Sequence, residues 1–150
     1  MGGKKQNIND YQRMLSTYLD RRRKMQIKID KLRKAIKIRT CRRDKMYLIC
    51  DVIKDFSGVD LLKISKCSKV RTDIERFALR SFFKYGMDNG IIGSELSLFL
   101  GFETKAMASI ERMKFVRSFK KDKSSREMYH KLIKICNKRL EQYEESSNKQ

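Results

Sequence analysis

Residues 92–115, IGSELSLFLGFETKAMASIERMKF, decide the reading of the fold. Glu95, Leu96, Phe99 and Leu100 fill one helical turn pattern, Gly101 is the residue type that ends a helix, and Thr104 is a residue type that caps the next one. Two short helices split by a glycine make a helix-turn-helix. In the second helix, from about residue 105 to 117, Ala106, Ile110, Met113 and Val116 fall near a 3.6 period and are expected to dock inward. That leaves Lys105, Ser109, Arg112 and Lys114 facing outward, as a groove-reading helix would present them. The plainer alternative is an ordinary hairpin inside a helical bundle.

Upstream of this stretch, Thr72 or Asp73 is expected to cap a helix through about residue 85, buried through Ile74, Phe77, Ala78, Leu79 and Phe82. Gly86 to Gly90 then read as a loop. Upstream, residues 44–56 carry Met46, Leu48, Ile49, Val52, Ile53 and Phe56 on a broad apolar face, stopped by Ser57 and Gly58. A short apolar turn at Val59, Leu61, Leu62 and Ile64 leads into the basic loop KCSKVR, residues 66–71. Downstream, Ser124 and Glu127 have capping-box spacing and open a helix to about residue 143, with Met128, Leu132, Ile135, Cys136, Leu140 and Tyr143 as its stripe. The final EESSNKQ has no periodicity and is expected to be disordered.

The amino-terminal third is different in kind. After a basic start, Asn9 or Asp10 is expected to cap a helix running to about residue 39. Tyr11, Leu15, Tyr18, Arg22, Met25, Ile29, Leu32 and Ile36 alternate by four and three, a heptad seam interrupted by one arginine. Such a seam serves either a homodimer through residues 11–36 or packing along the chain's own globular part. Residues 1–50 hold 16 basic and 4 acidic side chains, whereas residues 51–100 hold 8 and 7. The middle therefore reads as the core and the flanks as cationic surface that fits phosphate contact. The boundaries expected are 1–40 for the basic coiled-coil-like helix, 41–143 for the helical domain and 144–150 for the tail.

Composition narrows the function. No proline, few glycines and abundant Leu, Ile, Lys and Arg favour helix and give strands little support, so the fold class is all-α, a helix-turn-helix bundle with a long basic amino-terminal helix. A net charge of +19 with a pI near 10.0 draws the chain to polyanions. No apolar run approaches the ~20 residues of a membrane span, and the amino terminus lacks a signal-peptide centre, so no membrane partner and a cytoplasmic location are expected. Four cysteines at wide spacings and the lone His130 do not form a metal-ligand pattern. No phosphate-cradling G-x-x-x-x-G-K-[ST] run occurs, and His130 has no evident nucleophile partner. No cofactor, metal or catalytic residue is expected, and the chain is read as non-enzymatic.

The order of elements resembles the carboxy-terminal DNA-binding domain of the replication initiator DnaA. The resemblance covers residues 44–117. VIKDFSGVDLL at 52–62 is similar to that family's opening helix and hydrophobic turn, KCSKVR to its basic loop, DIERFALRSFFK to the next helix, and SELSLFLGFETKAMASIERMKF to its helix-turn-helix. It implies that Arg71 enters a minor groove with Lys66 and Lys69 on flanking phosphates. The family's Asp-His-Thr-Thr-Val signature is replaced here by Thr104, Lys105, Ala106, Met107 and Ala108. The resemblance therefore does not by itself imply recognition of the family's usual DNA box. Lys105 remains a donor for guanine or phosphate, and Met107 a contact for a thymine methyl. The expected partner is double-stranded DNA, with RNA as the other nucleic acid to consider, and Thr104, Lys105, Met107, Ser109, Arg112 and Lys114 as the reading set. A transcription or replication accessory role, phage-encoded or from an AT-rich genome, suits the Lys- and Ile-rich composition. The rival reading is a basic helical scaffold that meets RNA, packaged nucleic acid or a protein.

Overall fold

The computed structural model describes residues 7–64 and 71–148, and is all-α with no strand among them. The elements are α1 (Ile8–Ser57), α2 (Leu61–Ile64), α3 (Asp73–Asp88), α4 (Gly93–Phe99), α5 (Met107–Ser118) and α6 (Lys123–Asn148). Two units divide the chain, Met1–Cys41 and Arg42–Gln150.

In the first unit, every described residue up to Thr40 is exposed, including all eight positions of the heptad seam. The helix expected to stop near residue 39 does not stop: α1 is one run of 50 residues. The reason is local. Residues 40–43 contain no glycine or proline, and Thr40 turns its hydroxyl back onto the Ile36 carbonyl at 2.9 Å instead of capping a new helix.

The second unit holds the core. Met46, Ile49, Cys50, Val52 and Ile53 of α1 are buried, as are Phe77, Ala78, Leu79, Phe82 and Phe83 of α3. Gly58 takes φ +74°, the left-handed stop expected after Ser57. Thr72 is the N-cap of α3, and Thr72 and Glu75 form a reciprocal capping box. Ile74, expected inside, is exposed. Residues 86–88, expected in a loop, continue α3, because Gly86 is the point where α4 closes on α3. A Cβ there would stand 2.7 Å from Cδ2 of the fully buried Leu96.

α6 buries Tyr129, Leu132, Cys136 and Leu140, while Ile135 is exposed. Its cap is Asp122, whose carboxylate accepts from the Ser125 amide at 3.2 Å and hydroxyl at 2.7 Å, rather than Ser124. The expected disorder from residue 144 is replaced by continued helix to Asn148. Lys45 Nζ lies 3.3 Å from Glu144 and Tyr143 donates to Asp44 at 3.0 Å, holding that end to α1.

Candidate nucleic-acid interface

The helix-turn-helix is α4 and α5, both packed against α3. Its turn spans residues 100–106. Leu100 caps α4, Gly101 takes φ +84°, the Phe102 amide donates to the Ser97 carbonyl at 2.9 Å, and the Gly101 amide donates to that of Leu98 at 3.0 Å. Paired bonds of this kind are the Schellman termination that the glycine announces.

α5 is then fastened from outside. Ala106 is its N-cap and offers no side-chain acceptor, and Thr104, the expected cap, is an exposed turn residue. The missing acceptor comes from α4: the buried Ser97 hydroxyl accepts from the Ala108 amide at 3.2 Å and itself reaches the Gly93 carbonyl at 3.0 Å. One hydroxyl therefore fixes where α5 begins relative to α4.

The face that α5 presents is not the expected one. Ala108 and Phe115 are buried, and Phe115 packs edge-on against Phe77 and Tyr129 with ring centroids 5.8 and 5.2 Å away. Between them on the same face, Glu111 receives Arg80 Nε of α3 at 2.9 Å with only 14% of its side chain exposed. Ile110, Met113 and Val116, expected inside, are exposed, as is Ala106. The helix is rotated by about half a turn because one large aromatic on a stripe with a paired carboxylate buries more surface than Met113 and Val116 do.

This rotation sorts the expected reading residues. Thr104, Lys105 and Ser109 are exposed. Lys114 is exposed, with Glu111 3.8 Å away. Arg112 is half-buried and committed, its Nη2 donating to Asp88 at 2.6 Å. Burial raises the Asp88 carboxyl, but bonds from Lys84 and Arg112 outweigh it and hold the carboxyl below its usual range. Met107 is half-buried against the core and so is not free to touch a thymine methyl. Arg71 is half-buried with its guanidinium 5.5 Å over the Phe102 ring, folded onto the protein instead of projecting from it. Lys66 and Lys69 lie outside the described residues. Arg117, not among the expected site residues, is exposed and lines a groove with Met87, Ser109, Arg112, Met113 and Val116.

The densest positive charge lies in the first unit. Eleven basic side chains, from Arg13 to Arg39, are exposed there, and among the described residues only Lys24 pairs with an acid, Asp20 at 3.2 Å. Comparison with protein-family models, with curated proteins and with solved structures finds no match. No helix among the described residues is long and apolar enough to cross a membrane, and no cluster of three His, Cys, Asp or Glu among them could hold a metal ion.

Proposed function

We propose that this chain is a non-enzymatic protein that binds double-stranded DNA, a DnaA-like helix-turn-helix joined to a basic helix. The observation that carries the reading is the cation density of residues 13–39, where ten of eleven basic side chains lack an acidic partner among the described residues. Charge of this density, spread along one helix, matches the phosphate repeat of a polyanion better than it serves solubility. The turn between α4 and α5 favours duplex DNA among polyanions, with Lys105, Ser109, Lys114 and Arg117 as the exposed groups for groove and backbone. Exposed Ile110, Met113 and Val116 offer apolar contact to thymine methyls. Such a role places the protein in the cytoplasm of a bacterial or phage-infected cell, as a transcription or replication accessory factor.

The same apolar ridge supports the second reading, a scaffold that docks a protein through α5 and nucleic acid through α1. Titration of a labelled duplex across salt tests the proposal. Replacing Arg23, Lys31 and Lys34 by Ala should flatten the salt slope by about 2–3 units, and Lys105→Ala with Arg117→Ala should weaken binding without altering thermal stability. Absence of binding at low salt refutes the proposal. Duplex binding untouched by Lys105→Ala and Arg117→Ala moves the reading to the scaffold.

A further inference from the structure

We infer that residues 11–36 pair with the same segment of a second copy as an antiparallel two-helix coil, in which Arg22 sets the direction. Its apolar and tyrosine seam residues are 37–71% exposed in the single chain, and Arg22 is the one charged residue in the seam. With Leu15, Arg22, Ile29 and Ile36 at position a, and Tyr11, Tyr18, Met25 and Leu32 at d, the flanking e and g positions hold Gln12, Leu19, Gln26, Met14 and Ala35 alongside only three bases, Arg21, Lys28 and Arg33. Arg13, Arg23, Lys24, Lys31, Lys34 and Lys37 fall at outer positions. The charge thus leaves the seam free and stays available to a polyanion when the seam is covered.

Geometry on the same face agrees. A hollow is lined by Tyr18, Arg21, Arg22 and Met25, which are successive d, g, a and d residues, the four that form a hole for one knob of a facing helix. The seam is about 39 Å long. Nine apolar side chains on each chain, Met14 and Leu19 included, at about 65 Å² apiece would bury on the order of 1,200 Å², the lower edge of a stable specific interface.

Direction follows from Arg22. A parallel, in-register pair stacks Arg22 on its own copy in the seam, two like charges in one layer. The antiparallel pair sets Arg22 against Met25 of the second copy, Leu15 against Leu32, Tyr18 against Ile29 and Tyr11 against Ile36. Met25 of the second copy then enters the hollow beside Arg22. Arg21 faces Lys28 of the second copy at the edge, so added salt strengthens this pairing while it weakens any contact with phosphates.

The test is the solution mass of the full chain by sedimentation equilibrium at micromolar concentration and two salt levels. The expected mass is twice 17.9 kDa, rising in population with salt. Ile29→Asp should return it to 17.9 kDa with tyrosine-monitored unfolding of the second unit unchanged, and Arg22→Ile should tighten association at least tenfold. Mixed Leu15→Cys and Leu32→Cys chains should form a 15-to-32 disulfide, identified by peptide mass. A monomer at every salt, or a dimer indifferent to Ile29→Asp, overturns the pairing, and a 15-to-15 disulfide in Leu15→Cys alone overturns its direction.

Discussion

Replacing Gly86 by Ala tests the packing that seats the helix-turn-helix. Gly86 lies inside α3, where alanine ordinarily stabilises a helix by about 0.5–1 kcal/mol over glycine. Here the new Cβ would stand 2.7 and 2.9 Å from the two Cδ atoms of Leu96, closer than carbon atoms pack. Leu96 is fully buried and so has no open space to swing into. Overpacking of this kind costs about 1–3 kcal/mol. The clash outweighs the helix gain, leaving a net loss of up to about 2 kcal/mol, and Tm should fall by about 4–8 °C for each kcal/mol lost in a unit of this size. Urea and thermal unfolding followed by tyrosine fluorescence reads both numbers. A gain in stability, the ordinary result for a helical glycine facing open space, would refute the close approach of α3 and α4.

Removing the Ser97 hydroxyl should leave the buried Ala108 amide without an acceptor, costing about 1–3 kcal/mol and speeding amide exchange at the start of α5; unchanged exchange in Ser97→Ala contradicts the external cap. Asp88 has a carboxyl held low when folded, so its contribution is present above about pH 4 and is lost as pH falls through the lowered value. Asp88→Asn should therefore reduce stability at neutral pH, shrink the acid-side loss seen on titration, and free Arg112 so that duplex affinity rises; parallel pH curves for the two proteins count against the pairing. Burial pushes the thiols of Cys50, with Asp51 and Asp60 adding to it, and of Cys136 up to about 12. Alkylation at mildly alkaline pH, resolved by mass, should modify half-exposed Cys41 well before either of them, and equal rates for all three would contradict the core assignment.

Much of the fold was legible because single residues announce it. Gly101 after an apolar turn, Gly58 after Ser57 at the end of α1, and Thr72 beside Asp73 at the start of α3 each act through local backbone chemistry, which needs no knowledge of the rest of the chain. The all-α class followed from composition in the same way. What escaped depended on partners distant in sequence. Glu111 looks like a solvent-facing charge until Arg80 of α3 is brought 2.9 Å away, and only then does the stripe Ala108, Glu111, Phe115 emerge as the buried side of α5. Gly86 resembles a loop glycine until Leu96 arrives above it. Nothing in residues 40–43 breaks a helix, so α1 runs on where it was expected to end, although the two units do divide at Cys41 and Arg42.

The candidate interface divides along the same line. Lys105 and Ser109 were readable as exposed because small polar and basic side chains near a helix start are seldom needed inside, and Lys114 because a lone lysine is seldom fully buried. Arg112, Arg71 and Met107 were not, since Asp88, the Phe102 ring and the core claim them. Arg117 sits at the edge of the expected helix, and the half-turn rotation that exposes it also exposes Met113. A wheel centred on Phe115, the largest apolar side chain of α5, would have found both.

The central claim, binding to double-stranded DNA, is tested most directly by selecting bound duplexes from a random pool and following the affinity of the winners and of a scrambled duplex across salt. The account predicts binding to both that weakens steeply with salt, and an enriched motif whose advantage falls when Lys105 and Arg117 are replaced by Ala. No retention of any duplex at low salt would contradict it.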